Sequence, residues 1–384
     1  MRQSTFAFSK SLYVFPVCLF LFLLVLFFSP GSSPRAGSPE ISAEAALVLD
    51  WNSGRILYAK EPHLPLPMAS TTKIMTALLA LEKGSLKDTV VTSARAAQTG
   101  GSSIWLEEGE KKTLEELLYG LMLRSGNDAA AAIAEHISGD EGSFAQLMTR
   151  RARELGARDT VFKNPHGLHH PEHYTTAYDL ALISAWAMRL EDFRLITATP
   201  SIFISWPGHP WDRCLYNQNK LFELFPGAEG IKTGWTTPAG RCFVGAARRG
   251  GRRLISVVLN APQMWEDTVL LLDFGFQNFD NTCLIHRGQH LKSAAVSKGL
   301  HEKVGVMAAD NFYYPLKENE EDKIICRYLL KEPYRAPLLK GEKLGELEIY
   351  LGDKIIGAID LVAGRDIEKI NFWQQLQRKA ERRG

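Results

Sequence analysis

Three short stretches of the chain carry residue types that can do chemistry. Met68-Ala69-Ser70-Thr71-Thr72-Lys73 sets a serine three residues before a lysine. At helical spacing the two side chains share one face, one turn apart. A serine hydroxyl is a weak nucleophile and needs a base in contact. A lysine serves as that base when burial or a second cation lowers its pKa. A helix start also supplies backbone N–H groups to an oxyanion. Ser125-Gly126-Asn127 breaks a helical run, where Ser125 can relay a proton and Asn127 can bond an amide or hold a lysine. Lys232-Thr233-Gly234 follows Gly227-Ala228-Glu229-Gly230 on a strand-like run. Gly234 lets a backbone approach, and Lys232 and Thr233 offer a cation and a hydroxyl to a carboxylate. Each stretch alone also has a plain structural reading: a helix start, a helix–helix turn, a strand end with a solvated lysine.

The elements that must position them can be read from periodicity. Residues 46–50 and 55–59 are strand-like runs around Asn52-Ser53-Gly54, a hairpin signal. Ser70 to Leu81 lacks Gly and Pro and predicts a helix. Leu114, Leu117, Leu118 and Leu121 form a helical stripe. Asp128 is expected to cap an Ala-rich helix running to Ile137. Further helices are expected over residues 143–155 and 177–190. Strands return at residues 230–235, 241–247 and 253–259, with a turn at Arg249-Gly250-Gly251-Arg252. Strands at both ends of helices suggest one sheet built from both termini, an α+β domain. A boundary falls near residues 276–281. Beyond it, short apolar runs punctuated by Gly341, Gly345, Gly352 and Gly357 read as a small all-β module.

The chain ends differ from the rest. Arg2 and Lys10 precede an apolar stretch, residues 12–28, and then a small-residue spacer. Residues 1–36 therefore read as a secretory signal or an N-terminal anchor, which puts the remainder outside the cytoplasm. At the other end, Ile367, Ile370, Trp373, Leu376 and Ala380 recur at steps of three or four, with Arg378, Lys379, Arg382 and Arg383 nearby. Residues 366–384 read either as an amphipathic helix at a membrane surface or as a terminal helix docked on its own domain. The expected division is 1–36, a catalytic domain over 37–275, a β domain over 276–365 and the terminal helix. Of 384 residues, 45 are Lys or Arg and 43 Asp or Glu, so no charge excess argues for nucleic acid. Five cysteines with no C-x-x-C pair exclude a disulfide scaffold and a zinc ribbon.

In this order and context, the three stretches match the S-x-x-K, S-x-N and K-T-G set of penicillin-recognising serine enzymes. The chain resembles the D-alanyl-D-alanine carboxypeptidases, low-molecular-mass penicillin-binding proteins of serine peptidase family S11. Phe162-Lys163-Asn164-Pro165-His166-Gly167-Leu168, residues 174–179 and Asn217-Gln218-Asn219-Lys220-Leu221 extend the likeness over residues ~45–275. The resemblance implies a penicillin-binding/β-lactamase-like catalytic domain, then a small β domain and an amphipathic helix. It implies Ser70 as nucleophile and acyl-ester carrier, Lys73 as proton acceptor and Ser125 as proton relay. Asn127, Lys232, Thr233 and Gly234 would bind substrate, and the backbone N–H groups of Ser70 and Trp235 would form the oxyanion hole. The implied partners are peptidoglycan stem peptides, β-lactam antibiotics as inhibitors, and a membrane surface reached by the C-terminal helix. The implied place is the outer face of the cytoplasmic membrane or the medium, with no cofactor and no metal. The sequence departs from many relatives at Trp235, where some carry His, and at Met264, where many carry Arg.

Two alternatives keep the fold and change the activity: a catalytically inert wall-binding protein, or a β-lactamase. The chain has no E-x-x-L-N stretch, which argues against the class A β-lactamase type. His166, His169, His170 and His173 cluster in one loop and raise a metal reading, against which stands a loop of solvated or hydrogen-bonding imidazoles. Cys242 falls in an expected core strand and reads as a buried free thiol.

Overall fold

The computed structural model describes residues 37–374; the expected leader and the chain after Gln374 lie outside the described residues. Five strands form one antiparallel sheet. From edge to edge they are Ile56–Lys60, Ala45–Asp50, Arg252–Leu259, Gly240–Arg249 and Ala228–Thr236. The N-terminal hairpin thus pairs with the last strand of the domain, Leu47 opposite Val257. The strand Ala45–Asp50 is buried along its whole length, which is why residues 45–49 read as an unbroken apolar run. Ala45, Leu47 and Leu49 face the helices, with Ile255, Val257 and Val244 beside them. Ala46 and Val48 face the other way, packed with Phe243, Leu254 and the helix Met264–Asn278.

The helical side is centred on Lys73–Lys83, whose first eight residues are all buried. Leu114–Leu123 packs against it, started by a reciprocal Thr113–Glu116 capping box. Asp140 and Thr176 cap the helices Glu141–Glu154 and Ala177–Ala187 with side-chain oxygens. Two expectations about helix starts change. Ser70 lies in a 3-10 turn, Ala69–Thr72, that leads into the α-helix at Lys73. With three residues per turn, positions i and i+3 eclipse, so Ser70 and Lys73 still stand together. Asp128 does not cap the Ala-rich helix Asn127–Ser138, since Gly126 is the N-cap. The Asp128 carboxylate reaches sideways, accepting from Ile104 N, Leu106 N and Ser103 Oγ.

From Asp280 to Ala363 the chain is built of β-strands, with one 3-10 turn at Glu321–Lys323. A six-stranded sheet runs Ile324–Leu330, Lys343–Leu351, Lys354–Ala363, Lys303–Ala308, His290–Ser297, Tyr334–Arg335 around its own apolar core. The expected helix over 366–384 does not begin at residue 366. Ile367 bonds both ways with Leu338, and Ile370 N donates to Lys298 O. These residues are extended, with Ile367 and Ile370 buried in the module. Their spacing matched a helix, but backbone partners at Leu338 and Lys298 hold them straight. Helical backbone starts at Phe372, and Phe372 and Trp373 are exposed. Among the described residues no helix is long and apolar enough to cross a membrane.

Two arginines tie the parts together. Arg55 of the first hairpin donates to Pro315 O and Glu320 Oε1 and lies over the Phe279 and Tyr314 rings. Arg252 is buried with Asp50, its Nε 2.7 Å from Oδ2, and its other nitrogens donate to Phe279 O and Gly275 O. Arg252→Ala removes the buried counter-charge of Asp50 and the donor to its Oδ2 and to two carbonyls. It is expected to destabilise the chain by about 3–5 kcal/mol in urea unfolding.

Candidate active site

Ser70, the expected nucleophile, sits on a tightly specified turn. Ala69, just before it, has φ 46°, a left-handed conformation that non-glycine residues seldom adopt. Thr71 Oγ1 donates to Met68 O at 2.6 Å and Thr72 Oγ1 to Ala69 O at 2.8 Å. Since the Thr72 hydroxyl proton is committed there, His173 Nε2, 2.8 Å away, is the donor to Thr72 Oγ1. His173 Nδ1 accepts from Lys163 N, which fixes the neutral tautomer. Burial pushes its pKa down to about 3, in keeping with that neutral state. Gly167 presses on the same turn with φ 89°; a Cβ there would stand 1.9 Å from Ala69 O.

Lys73 is wholly buried and has three partners. Its Nζ lies 2.7 Å from Asn127 Oδ1, 2.6 Å from His166 O and 3.1 Å from Ser70 Oγ. The first two are acceptors only. A neutral amine satisfies both with its two N–H groups and turns its lone pair to the hydroxyl of Ser70. Burial is the main cause that holds the Lys73 pKa well below the ordinary lysine value. The charge of Lys232 lowers it further, and Asp128 opposes both. The shift is toward the neutral amine, the form that a general base requires.

Asn127 is fixed from behind. Its Nδ2 donates to Gly100 O and its backbone N to Ser102 O, each at 2.7 Å. Ser125 is buried with φ 61° and is not among the partners of the Lys73 amine. On the far side, the edge strand Ala228–Thr236 runs flush against the nucleophile turn. A Cβ on Gly234 would meet Ser70 N and Thr71 N at 3.0 Å and Met68 O at 3.1 Å. Lys232 points to the helical side, buried, and burial lowers its pKa to about 7. Thr233 is half-buried and Trp235 is 65% exposed at the mouth.

A profile of the D-alanyl-D-alanine carboxypeptidases, peptidase S11, matches residues 32–263. The chain belongs to this family. It is a serine-type carboxypeptidase, a hydrolase, with an α+β penicillin-binding catalytic domain and an all-β domain after it. The C-terminal domain of penicillin-binding protein 5 matches residues 279–369. The D-alanyl-D-alanine carboxypeptidase DacF of Bacillus subtilis is 34% identical over 376 residues, 94% of this chain and 96% of that protein. The crystal structure of penicillin-binding protein 5 from Haemophilus influenzae is similar with TM-score 0.69 and 29% identity, over 87% of this chain and all of that one. A peptidoglycan synthesis regulatory factor from Streptococcus pneumoniae reaches TM-score 0.74 at 27% identity, over 86% of this chain and all of that one.

The three stretches singled out in the sequence thus converge around one hydroxyl. Three supporting residues were not expected at the site. His166 supplies its backbone carbonyl to Lys73, His173 braces Thr72, and Asp128 holds the loop at residues 103–106. The signal for the histidines lay in the 162–168 stretch, but which imidazoles turn inward is set by the loop path. His166 and His173 are buried, while His169 and His170 are exposed. Among the described residues no group of His, Cys, Asp or Glu is arranged to hold a metal. Cys214, Cys242, Cys283 and Cys326 are free thiols, and Cys242 is buried.

Lys232 leaves a mark on stability. As the pH falls from about 10 to about 7, the unfolded chain takes up a proton that the buried amine does not. Unfolding in urea is expected to become easier over that window by up to ~1.4 kcal/mol per pH unit relative to Lys232→Met. Equal pH slopes for the two proteins would show Lys232 to be an ordinary solvated lysine. Gly234→Ala is expected to keep the fold and slow active-site acylation at least about ten-fold, because the new methyl displaces Ser70 N.

Proposed function

We propose that this chain removes the terminal D-alanine from peptidoglycan stem pentapeptides through an acyl-enzyme on Ser70, and that penicillins block it by acylating the same oxygen. The observation that carries this reading is the setting of Lys73, whose two acceptor-only partners leave its lone pair for Ser70. Ser70 Oγ attacks the carbonyl carbon between the last two D-alanines, and its proton passes to Lys73. The backbone N–H groups of Ser70 and Trp235 receive the oxyanion. As the C–N bond breaks, the amine of the departing D-alanine gains a proton through Ser125, with Asn127 ordering substrate and base. Lys232 and Thr233 hold the terminal carboxylate, and Gly234 leaves room for the peptide backbone beside the strand. Water then hydrolyses the ester.

The reading extends to place. The apolar leader puts the enzyme outside the cytoplasm, in the cell envelope, and the basic C-terminal segment holds it at the membrane surface. Phe372 and Trp373 are exposed where that segment leaves the β module, which fits such a contact.

Benzylpenicillin tests the mechanism. Intact mass is expected to rise by one drug molecule per chain, and Ser70→Ala is expected to stay unlabelled. The adduct should persist for many minutes, since turnover too fast to accumulate it would mean a β-lactamase. Acylation should slow as the pH is lowered, because protonation fills the Lys73 lone pair. Absence of an adduct, with the drug intact, would overturn the active-serine reading in favour of an inert wall-binding protein.

A further inference from the structure

Beside the site stands a group of aromatic rings that the reaction does not use. The loop at residues 100–106 is bonded to Asn127 and Asp128 at both ends. Within it, Trp105 has φ 58° and yet presents an indole that is 59% exposed. Its carbonyl accepts from Arg213 Nη2 at 2.6 Å, and Arg213 is itself clamped by both oxygens of buried Glu110 at 2.5 and 2.7 Å. A left-handed backbone held by a buried ion pair keeps a large apolar ring in water. A second segment meets it, the hairpin Ser201–Ile204 and Arg213–Tyr216. Lys112, with no side-chain exposure, donates to Ser205 O and Oγ at the hairpin tip. The Arg213 guanidinium lies 4.5 Å from the Trp206 ring centre. Trp206 and His209 are 4.1 Å apart, His209 and Trp211 6.3 Å, and Trp211 is 63% exposed. His209 Nε2 stands 3.1 Å from Glu107 Oε1, which joins the hairpin tip to the Trp105 loop.

We propose that Trp105, Trp211, Glu107 and His209 form a saccharide-binding platform for the uncharged amino-sugar chain from which the stem peptides hang. The inference rests on the wall-polymer reading above. A pyranose ring has an apolar face of C–H bonds that stacks on an indole, and a rim of hydroxyl and acetamido groups that bonds a carboxylate or imidazole. Rings fixed before binding lose little entropy on contact. Charge selects the occupant. Within residues 105–113 and 205–213 the exposed charged residues are Glu107, Glu108 and Asp212 against Lys111. That balance repels an anionic lipid surface and is indifferent to a neutral glycan.

The full-length chain in detergent micelles tests this with two measurements. The first is kcat/KM on pentapeptide carried by a glycan oligomer and on the same pentapeptide free. Trp211→Ala is expected to lower the ratio of the two by about ten-fold, mostly through KM, and Trp211→Phe to restore part of it. An unchanged ratio, or an equal fall on both substrates as a peptide subsite would give, overturns the platform. The second is quenching of tryptophan fluorescence by chitotetraose, which needs no turnover and so decides the matter even where Ser70 fails to acylate. Saturable quenching that Trp211→Ala abolishes supports the platform, and its absence from the unmutated chain overturns it.

Discussion

The site depends on one buried amine. Lys73 lies in the first turn of a helix with no accessible surface, a place where an ammonium is poorly solvated and a neutral amine is favoured. Asn127 Oδ1 and His166 O give that amine two acceptors and no counter-charge, so its lone pair is directed at Ser70. Lys232 adds a like charge from the sheet edge and lowers its affinity for a proton further. Each of these partners comes from a different part of the chain. Packing the helix against the sheet edge and the 164–168 loop is therefore the same event as building the environment of this amine.

Close approach of backbone to backbone is the second constraint. Gly234 and Gly167 bracket the nucleophile turn from two sides, and neither position has room for a Cβ without displacing main-chain atoms. The turn itself is braced by hydroxyls, Thr71 on Met68 and Thr72 on Ala69, with neutral His173 behind. These contacts keep Ala69 left-handed and set the Ser70 hydroxyl beside Lys73. The same economy recurs at the mouth, where Arg213, Glu110 and Asp128 satisfy a loop that carries its Trp in a left-handed backbone. Arg55 and Arg252 do the equivalent for the junction with the β module, each drawing donors from one sheet to carbonyls and acids of another element.

By itself the sequence determined the family and the architecture, and it marked the candidate site residues. Ser70, Lys73, Ser125, Asn127 and Lys232-Thr233-Gly234 were legible because side-chain type and spacing of three are local properties. The α+β plan was legible because runs such as residues 46–50 and 253–259 are apolar enough to be buried on both faces. Tertiary structure decided the rest. Ile367 and Ile370 have helical spacing but are extended, since hydrogen bonds to Leu338 and Lys298 outweigh a weak local preference. Asp128 looked like a cap and instead holds a loop two dozen residues away, because Gly126 already starts the helix. Which histidines turn inward, how far burial depresses Lys73, and which rings meet at the mouth all depend on contacts between segments distant in sequence. No local pattern encodes them, because dielectric and packing exist only once the segments have met.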